Sequence, residues 1–202
     1  MSASASSQLA SAFVFSPSAP SVRHIILIGF MGSGKTTVSR LLARRLNLPC
    51  VDTDDLVQQR TGLSIPTIFD KRGEDYFRRQ EHVCLCEQAV SEPSVLSCGG
   101  GIILSAENRA LLVQMGPVIY LTVSPQQALR RISHPQNRPV LRSALEQTDS
   151  SPAALERAVA TLLAQREGFY AALATYTVDT DHRDQDGVVD EICAVLAQGE
   201  LS

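Results

Sequence analysis

The stretch Gly29-Phe30-Met31-Gly32-Ser33-Gly34-Lys35-Thr36 decides how this chain folds. It matches the pattern G-x-x-x-x-G-K-[ST], whose backbone N–H groups cradle nucleotide phosphates. The apolar run from Ile25 to Ile28 precedes it and predicts a buried strand. Apolar residues then recur at helical spacing, at Val38, Leu41, Leu42 and Leu46. The glycines therefore lie at a strand-to-helix turn, where inward N–H groups and the helix dipole attract an anion.

The residues of this loop have separate predicted roles. Lys35 should reach the β- and γ-phosphates, and the Thr36 hydroxyl should coordinate Mg²⁺. The predicted nucleotide-binding residues of the loop are Gly32, Ser33, Gly34, Lys35, Thr36 and Thr37. The alternative is a glycine-rich turn that carries Lys-Thr by chance. The strand before it and the helix after it argue against that alternative.

Length and composition exclude several classes of protein. The 202 residues suit one domain with a real core. A formal charge of −3 argues against a general nucleic-acid binder. No apolar run approaches the about 20 residues that cross a bilayer. The five cysteines are odd in number and contain no C-x-x-C, so we expect buried, reduced thiols in a reducing compartment and no metal site.

Residues 1–21 differ from the rest of the chain. They contain eight serines and no charged residue, which predicts a disordered extension. A secretory signal needs a basic region and a longer apolar core than Phe13-Val14-Phe15. A plastid transit peptide would share the serines but would usually carry arginines. We therefore expect a cytoplasmic protein, with residues 22–202 forming a single domain.

Strands and helices alternate along that domain. The predicted strands cover 22–28, 50–52, 95–98, 118–123 and 177–180. The predicted helices cover 35–46, 56–60, 73–90, 106–115, 126–132, 153–174 and 186–197, with a further one capped by Ser64. The helix 153–174 carries an apolar stripe that we expect to be buried, formed by Leu155, Val159, Leu162, Leu163 and Phe169. The alternation predicts an α/β fold, a five-stranded parallel sheet flanked by helices on both faces.

Two further groups of residues should lie near the phosphate loop. Asp52, Asp54 and Asp55 follow the second strand, and ligands bind outside the carboxyl ends of such strands. The same aspartates can cap the next helix, and both interpretations can hold. Gly99-Gly100-Gly101 follows the third strand and indicates either a close backbone approach or a plain turn. The position of the three glycines does not distinguish between a close backbone approach and a plain turn.

Two arginines have less specific surroundings. Arg78, on the helix 73–90, could be an exposed residue paired with Glu81. Arg138 lies in a long proline-rich segment, about 133–151, of the kind that often forms a lid. It could close on ATP as a charge clamp or be a solvated surface residue.

These pieces together resemble the shikimate kinase family, from about Ile25 to Ile192. The matching segments are Gly29 to Thr36, Asp52-Thr53-Asp54, Thr61 to Ile65, Ile68-Phe69, Gly73-Glu74, Phe77-Arg78-Arg79, Gly99 to Gly101, Arg138 to Leu141 and Arg166 to Tyr170. The resemblance implies a nucleoside monophosphate kinase-like fold of three layers, with a substrate-binding segment at about 53–91 and a lid at about 133–151. It implies transfer of a phosphoryl group from ATP to the 3-hydroxyl of shikimate.

The resemblance also implies roles for individual residues. Thr36 and Asp52 would hold one Mg²⁺, while Lys35, Asp54 and Arg138 would be catalytic. The implied shikimate-binding residues are Asp54, Arg78, Gly99, Gly100, Gly101 and Arg166. The implied nucleotide contacts outside the loop are Arg131, Arg138 and Arg183, although Gln185 stands where the family pattern has a proline. The implied partners are shikimate and ATP, with no nucleic acid or membrane, and the chain would be a monomer.

Two other interpretations remain to be distinguished. A related small-molecule kinase could act on gluconate or a nucleoside monophosphate, since paired arginines can also hold a phosphate. A non-enzymatic module with this fold would be expected to lack Lys35, Asp54 or Arg138, and all three are present. Asp54 can either orient the acceptor hydroxyl or take its proton.

Overall fold

A five-stranded parallel sheet forms the centre of the protein. The computed structural model describes residues 24–132, 138–146 and 151–199. Its strands are β1 (His24–Ile28), β2 (Cys50–Asp52), β3 (Ser94–Ser97), β4 (Val118–Thr122) and β5 (Tyr176–Asp179), in the order β2-β3-β1-β4-β5. All four strand pairings are parallel. The predicted fold class is confirmed.

Helices connect the strands. They are α1 (Lys35–Leu46), α2 (Thr53–Thr61), α3 (Ile65–Arg72), α4 (Glu74–Ala89), α5 (Ala106–Met115), α6 (Pro125–Arg131), α7 (Pro139–Glu146), α8 (Pro152–Leu173) and α9 (Gln185–Gly199). A short 3₁₀ helix, Ile102–Leu104, precedes α5. The predicted extension 1–21 lies outside the described residues, as do 133–137 and 147–150 of the predicted lid.

The sheet is buried on both faces. Ile26 and Ile28 of β1 pack into a cluster with α5 and α8, while Ile25 and Leu27 pack on the other face with α1 and α9. This alternation follows from the two-residue period of a strand, and both sets are apolar because helices cover both sides. The β1 strand is central, between β3 and β4.

The parallel arrangement gathers the functional loops at one edge. The carboxyl ends of β1, β2 and β3 lead into the phosphate loop, the aspartate stretch and the three glycines. Since β1 pairs with β3 on one side and β4 on the other, the phosphate loop lies where the strand order reverses. Ligands of open α/β sheets bind at such a point.

Some local predictions need correction. The second helix begins at Thr53 and not at Leu56, because the Asp52 side chain accepts a hydrogen bond from the Asp54 backbone and caps the helix there. Phe169, which we expected in the buried stripe of α8, is 39% exposed. Its neighbour Tyr170 is fully buried instead.

The cysteines are all free, as expected, but they are not all buried. Cys84 and Cys98 are buried, whereas Cys50 and Cys86 are exposed and Cys193 is half-buried. The expectation of burial is therefore wrong for Cys50 and Cys86. Within the three described ranges, no helix combines the length and the apolar character needed to span a bilayer.

Candidate active site

The phosphate loop requires glycine for two reasons. Gly32 has a φ of 82°, in the left-handed region. A Cβ added there would also lie 2.9 Å from Cα and the carbonyl oxygen of Ala128, on α6. Gly34, with a φ of 87°, leads directly into α1, and its carbonyl accepts from the N–H groups of Thr37 and Val38, both at 3.0 Å. The loop therefore aims the positive end of α1 at its own interior.

Lys35 is held inside this loop. Its Nζ donates to the carbonyl oxygens of Gly29 and Phe30, both at 2.8 Å, and lies 3.4 Å from Ser33 Oγ. Burial lowers the pKa of Lys35 from 10.5 to about 8, against the opposing charges of Asp54 and Asp52. The ammonium group is thus placed at the centre of an anion site.

Asp52 joins the loop to the second strand. Its Oδ2 accepts hydrogen bonds from Thr36 Oγ1 at 3.2 Å and from Ser97 Oγ at 2.9 Å. Because its Oδ1 also caps α2, both interpretations of the aspartate stretch hold for this residue. A hydroxyl and a carboxylate oxygen at this distance beside a phosphate loop fit the oxygen ligands that Mg²⁺ prefers.

Asp54 lies against the first of the three glycines. A Cβ on Gly99 would be 2.5 Å from Asp54 Oδ1 and 3.3 Å from Glu81 Oε1. Burial, followed by the charge of Asp52, raises the pKa of Asp54 from 3.8 to about 6. Lys35 and the nearby arginines oppose this increase. A carboxyl group with this pKa can accept and release a proton near neutral pH.

Arg78 extends from α4 over the last of the glycines. Its guanidinium donates to Glu81 at 2.9 Å and to Glu74 at 2.9 Å. A Cβ on Gly101 would lie 2.8 Å from Arg78 Cζ. The three glycines are therefore a place of close approach, in addition to a turn that leads into the 3₁₀ helix.

Glu81 corrects the expectation of an exposed pair. It is 1% exposed, and burial raises its pKa to about 7, against the charge of Arg78. Sequence reasoning named Glu81 as a partner of Arg78 but not as a residue of the site. The i,i+3 spacing gave no sign of this burial, because such pairs are typical of exposed helix faces.

Two hydroxyl groups hold the glycine backbone. Gly99 N–H donates to Thr53 Oγ1 at 2.9 Å. The Gly100 carbonyl accepts from the Tyr170 hydroxyl at 2.5 Å, and Arg166 NH1 lies 3.5 Å from the same oxygen. Arg166 and Tyr170 are one turn apart on α8. Arg166 was predicted, whereas Thr53 and Tyr170 were not named as site residues.

A cavity of about 120 Å³ brings most of the predicted substrate residues together. Its polar lining comprises Asp54, Arg78, Glu81, Gly99, Gly100, Gly101, Arg138 and Arg166. Its apolar lining comprises Met31, Ile65, Phe69, Phe77, Pro139 and Val140. Arg138 is exposed and precedes α7, and its charge contributes to the pKa values of Lys35 and Asp54. The cavity thus has a charged side for acidic and hydroxyl groups and an apolar side for a carbon skeleton.

A second cleft, of about 360 Å³, also contacts the phosphate loop and shares no lining residue with the first cavity. Ser33, Gly34, Arg131, Arg183 and Gln185 contribute to its lining. Arg131 donates to Thr180 Oγ1 at 3.0 Å and to the Gly32 carbonyl at 3.3 Å. Arg183 forms an ion pair with Glu191. The structure therefore groups the predicted nucleotide contacts Arg131 and Arg183 with the loop, and places Arg138 with the other cavity.

Comparison with known proteins agrees with this geometry. The family model described as shikimate kinase matches residues 31–197. The chain belongs to the shikimate kinase family. It is 42% identical over 177 residues to a shikimate kinase of Pseudomonas syringae pv. syringae, covering 88% of this chain and 98% of that protein.

Solved shikimate kinases share the fold. A structure of the Acinetobacter baumannii enzyme in complex with shikimate matches with a TM-score of 0.80 and 36% identity, covering 89% of this chain and 96% of that one. The Aquifex aeolicus enzyme matches with a TM-score of 0.72 and 33% identity, over 88% and 98% of the two chains. The fold that the sequence resemblance implies is confirmed.

Proposed function

We propose that this protein transfers the γ-phosphoryl group of ATP to the 3-hydroxyl of shikimate, giving shikimate 3-phosphate and ADP. The observation that carries the proposal is the cavity in which Asp54, Arg78 and Arg166 meet beside the phosphate loop. Membership of the shikimate kinase family supports it. ATP is the co-substrate of that family.

Arg78 and Arg166 would bind the substrate carboxylate. They come from different helices, α4 and α8, and both line the cavity. A planar guanidinium donates paired N–H groups to a carboxylate, and a charge-assisted pair is stronger than a neutral one. The buried carboxylate of Glu81 orients Arg78, since it fixes the NH1 group at 2.9 Å. This arrangement would set the acceptor hydroxyl relative to Asp54.

Asp54 would accept the proton of the 3-hydroxyl. As the hydroxyl oxygen bonds to the γ-phosphorus, its proton passes to the carboxylate, and the bond from that phosphorus to the bridging oxygen of ADP breaks. Phosphoryl transfer depends chiefly on positioning and on positive charge around the phosphates. Lys35 and Arg138 would supply that charge from opposite sides of the loop.

Thr36 and Asp52 would hold one Mg²⁺, because their oxygens lie 3.2 Å apart next to the loop. The bound ion would neutralise phosphate charge. Arg131 and Arg183 would contact the nucleotide in the second cleft, together with Gly32 to Thr37.

The larger organisation follows from the same proposal. Residues 22–202 would form one kinase domain, in which 53–91 binds substrate and 133–151 acts as a lid. We also propose that the protein is a cytoplasmic monomer that needs no nucleic acid or membrane for activity.

A coupled assay of ADP release with Mg-ATP tests the proposal. Release should depend on shikimate, and gluconate, AMP and CMP should not replace it. Asp54→Asn should lower kcat strongly while ATP still binds. If ADP release were equal with gluconate, or if wild type bound ATP and released none with shikimate, the assignment of the acceptor would be wrong.

A further inference from the structure

The Tyr170 hydroxyl occupies an unusual position for a core tyrosine. The side chain is fully buried, and its ring stacks on Tyr120 with centroids 5.1 Å apart. Its hydroxyl donates to the carbonyl oxygen of Gly100 at 2.5 Å. Burial raises the pKa of Tyr170 above its ordinary value, so the hydroxyl keeps its proton and remains a donor. The apolar body thus lies in the core while the polar tip reaches the backbone of Gly100, which lines the substrate cavity.

The same carbonyl has a second neighbour in Arg166. The NH1 group lies 3.5 Å from Gly100 O, at the limit of a hydrogen bond. Tyr170 therefore makes the short hydrogen bond to this carbonyl, and Arg166 makes only the long one. Removal of the hydroxyl would take away the short donor to this half-buried carbonyl, and Arg166, already 3.5 Å from the oxygen, could move closer to replace it.

The glycine peptide is also oriented by this bond. In a trans peptide the N–H points opposite to the C=O, so fixing the Gly100 carbonyl fixes the direction of the Gly101 N–H. Gly99 is already fixed from the other side by Thr53 Oγ1 at 2.9 Å. The peptide between Gly100 and Gly101 is held by the hydrogen bond from the Tyr170 hydroxyl.

We propose that Tyr170 is a positioning residue for shikimate binding, which holds the Gly100 carbonyl so that Arg166 stays available to the substrate carboxylate. This inference rests on the proposed function. It differs from a purely structural role in its effect: loss of the hydroxyl should weaken shikimate binding and leave ATP binding as it is.

Tyr170→Phe tests the inference, because it removes the oxygen and keeps the ring. We expect the KM for shikimate to rise about three- to tenfold, as for loss of one hydrogen bond, with kcat and the KM for ATP within about twofold. Tyr120→Phe is the matched control. It removes the same atom from the other ring of the stack, and that hydroxyl makes no hydrogen bond to any part of the chain that the structure describes.

The outcomes separate this inference from the proposed function. Failure of the wild type to use shikimate would overturn both. Shikimate turnover with an unchanged KM in Tyr170→Phe would overturn the inference alone, as would a parallel rise in both KM values with a lowered Tm. If Tyr170→Phe does not fold, 4-aminophenylalanine at position 170 keeps the ring and a weaker donor. An intermediate rise in the KM for shikimate would then support the inference, and an unchanged KM would overturn it.

Discussion

Lowering the pH from 7 to 5 should reduce kcat/KM for shikimate about tenfold, because Asp54 takes up a proton in that range. The carboxylate is the form that accepts a proton from the substrate hydroxyl. With a pKa of about 6, about nine-tenths of the enzyme without bound shikimate carries the ionised form at pH 7 and about one-tenth at pH 5. An aspartate with its ordinary pKa of 3.8 would change by less than about a tenth over the same range.

The groups around Asp54 determine the size of this effect. Burial and Asp52 raise its pKa, while Lys35, Arg138 and Arg78 lower it. Glu81 adds a second titration, since its own pKa is raised to about 7 and Asp54 contributes to that increase. The two carboxyl groups therefore titrate as a coupled pair. If protonation of both reduces activity, the decline below pH 6 will be steeper than for one group.

The assay is ADP release at saturating Mg-ATP, with the KM for ATP determined at each pH. Asp55→Asn is the matched control, because this neighbouring aspartate is exposed and bonds only to Gln58 among the described contacts. Its profile should follow the wild type. Glu81→Gln removes the second titration and should leave an acid limb with the slope of a single proton.

A flat wild-type profile of kcat/KM between pH 5 and 7 would contradict this prediction. It would mean that the enzyme does not need ionised Asp54 when shikimate binds, or that the surroundings of Asp54 do not raise its pKa. A profile of the wild-type shape in Asp54→Asn would assign the acid limb to a different group.

Three further perturbations have separable effects. Because Lys35 has a pKa lowered to about 8, kcat/KM for ATP should fall about fivefold from pH 8 to pH 9 as the ammonium is lost, and a constant value would contradict its role. Arg166→Ala should mainly raise the KM for shikimate, by about tenfold or more, and an unchanged KM would move the carboxylate site elsewhere. Gly101→Ala should raise the same KM through contact with Arg78, without backbone strain at a φ of −101°. Gly168→Ala, with open space around it, is the control that should leave KM unchanged.

The sheet and the loop could be predicted because their signals are local. A buried parallel strand is a continuous apolar run, such as Ile25 to Ile28, and the glycine pattern after it has few alternatives. Asp52 was placed correctly because a residue after a strand and before a helix is both at the sheet edge and at a cap position.

The remaining site residues depend on contacts between distant segments. The buried positions of α8 include Val159, Leu163, Arg166, Tyr170 and Leu173, at alternating spacings of four and three. The helical period was visible in the sequence, but one of the buried positions is an arginine. A stripe drawn from apolar residues alone therefore left out Arg166 and included Phe169. Continuing the spacing of Val159 and Leu163 through Arg166 leads to Tyr170 as the next buried position, and this was the sequence signal for Tyr170.

Glu81 could not be placed for a related reason. An arginine and a glutamate three residues apart are typical of an exposed helix face. The burial of Glu81 arises from its position beside Gly99 and Asp54, which belong to two other segments. No local pattern distinguishes that pair from a surface pair.

The raised pKa of Asp54 has a consequence for stability with a definite sign. Between 3.8 and about 6 the folded protein binds a proton that the unfolded chain has released. The free energy of unfolding therefore falls as the pH rises through this window and stays lower above it. The full shift corresponds to about 3 kcal/mol, at about 1.4 kcal/mol for each pH unit.

Asn at position 54 does not ionise, so Asp54→Asn lacks this loss of stability. The free energy of unfolding of Asp54→Asn minus that of the wild type should be about 1.4 kcal/mol larger at pH 8 than at pH 5, measured by urea denaturation at both values. Asp55→Asn should show no such change between the two. An equal effect of Asp54→Asn at both pH values would mean that folding leaves the pKa of Asp54 where it is in the unfolded chain. If the variant gains stability above pH 6 while its kcat falls, as we expect, the ionised Asp54 carboxylate destabilises the fold and is nevertheless required by the reaction.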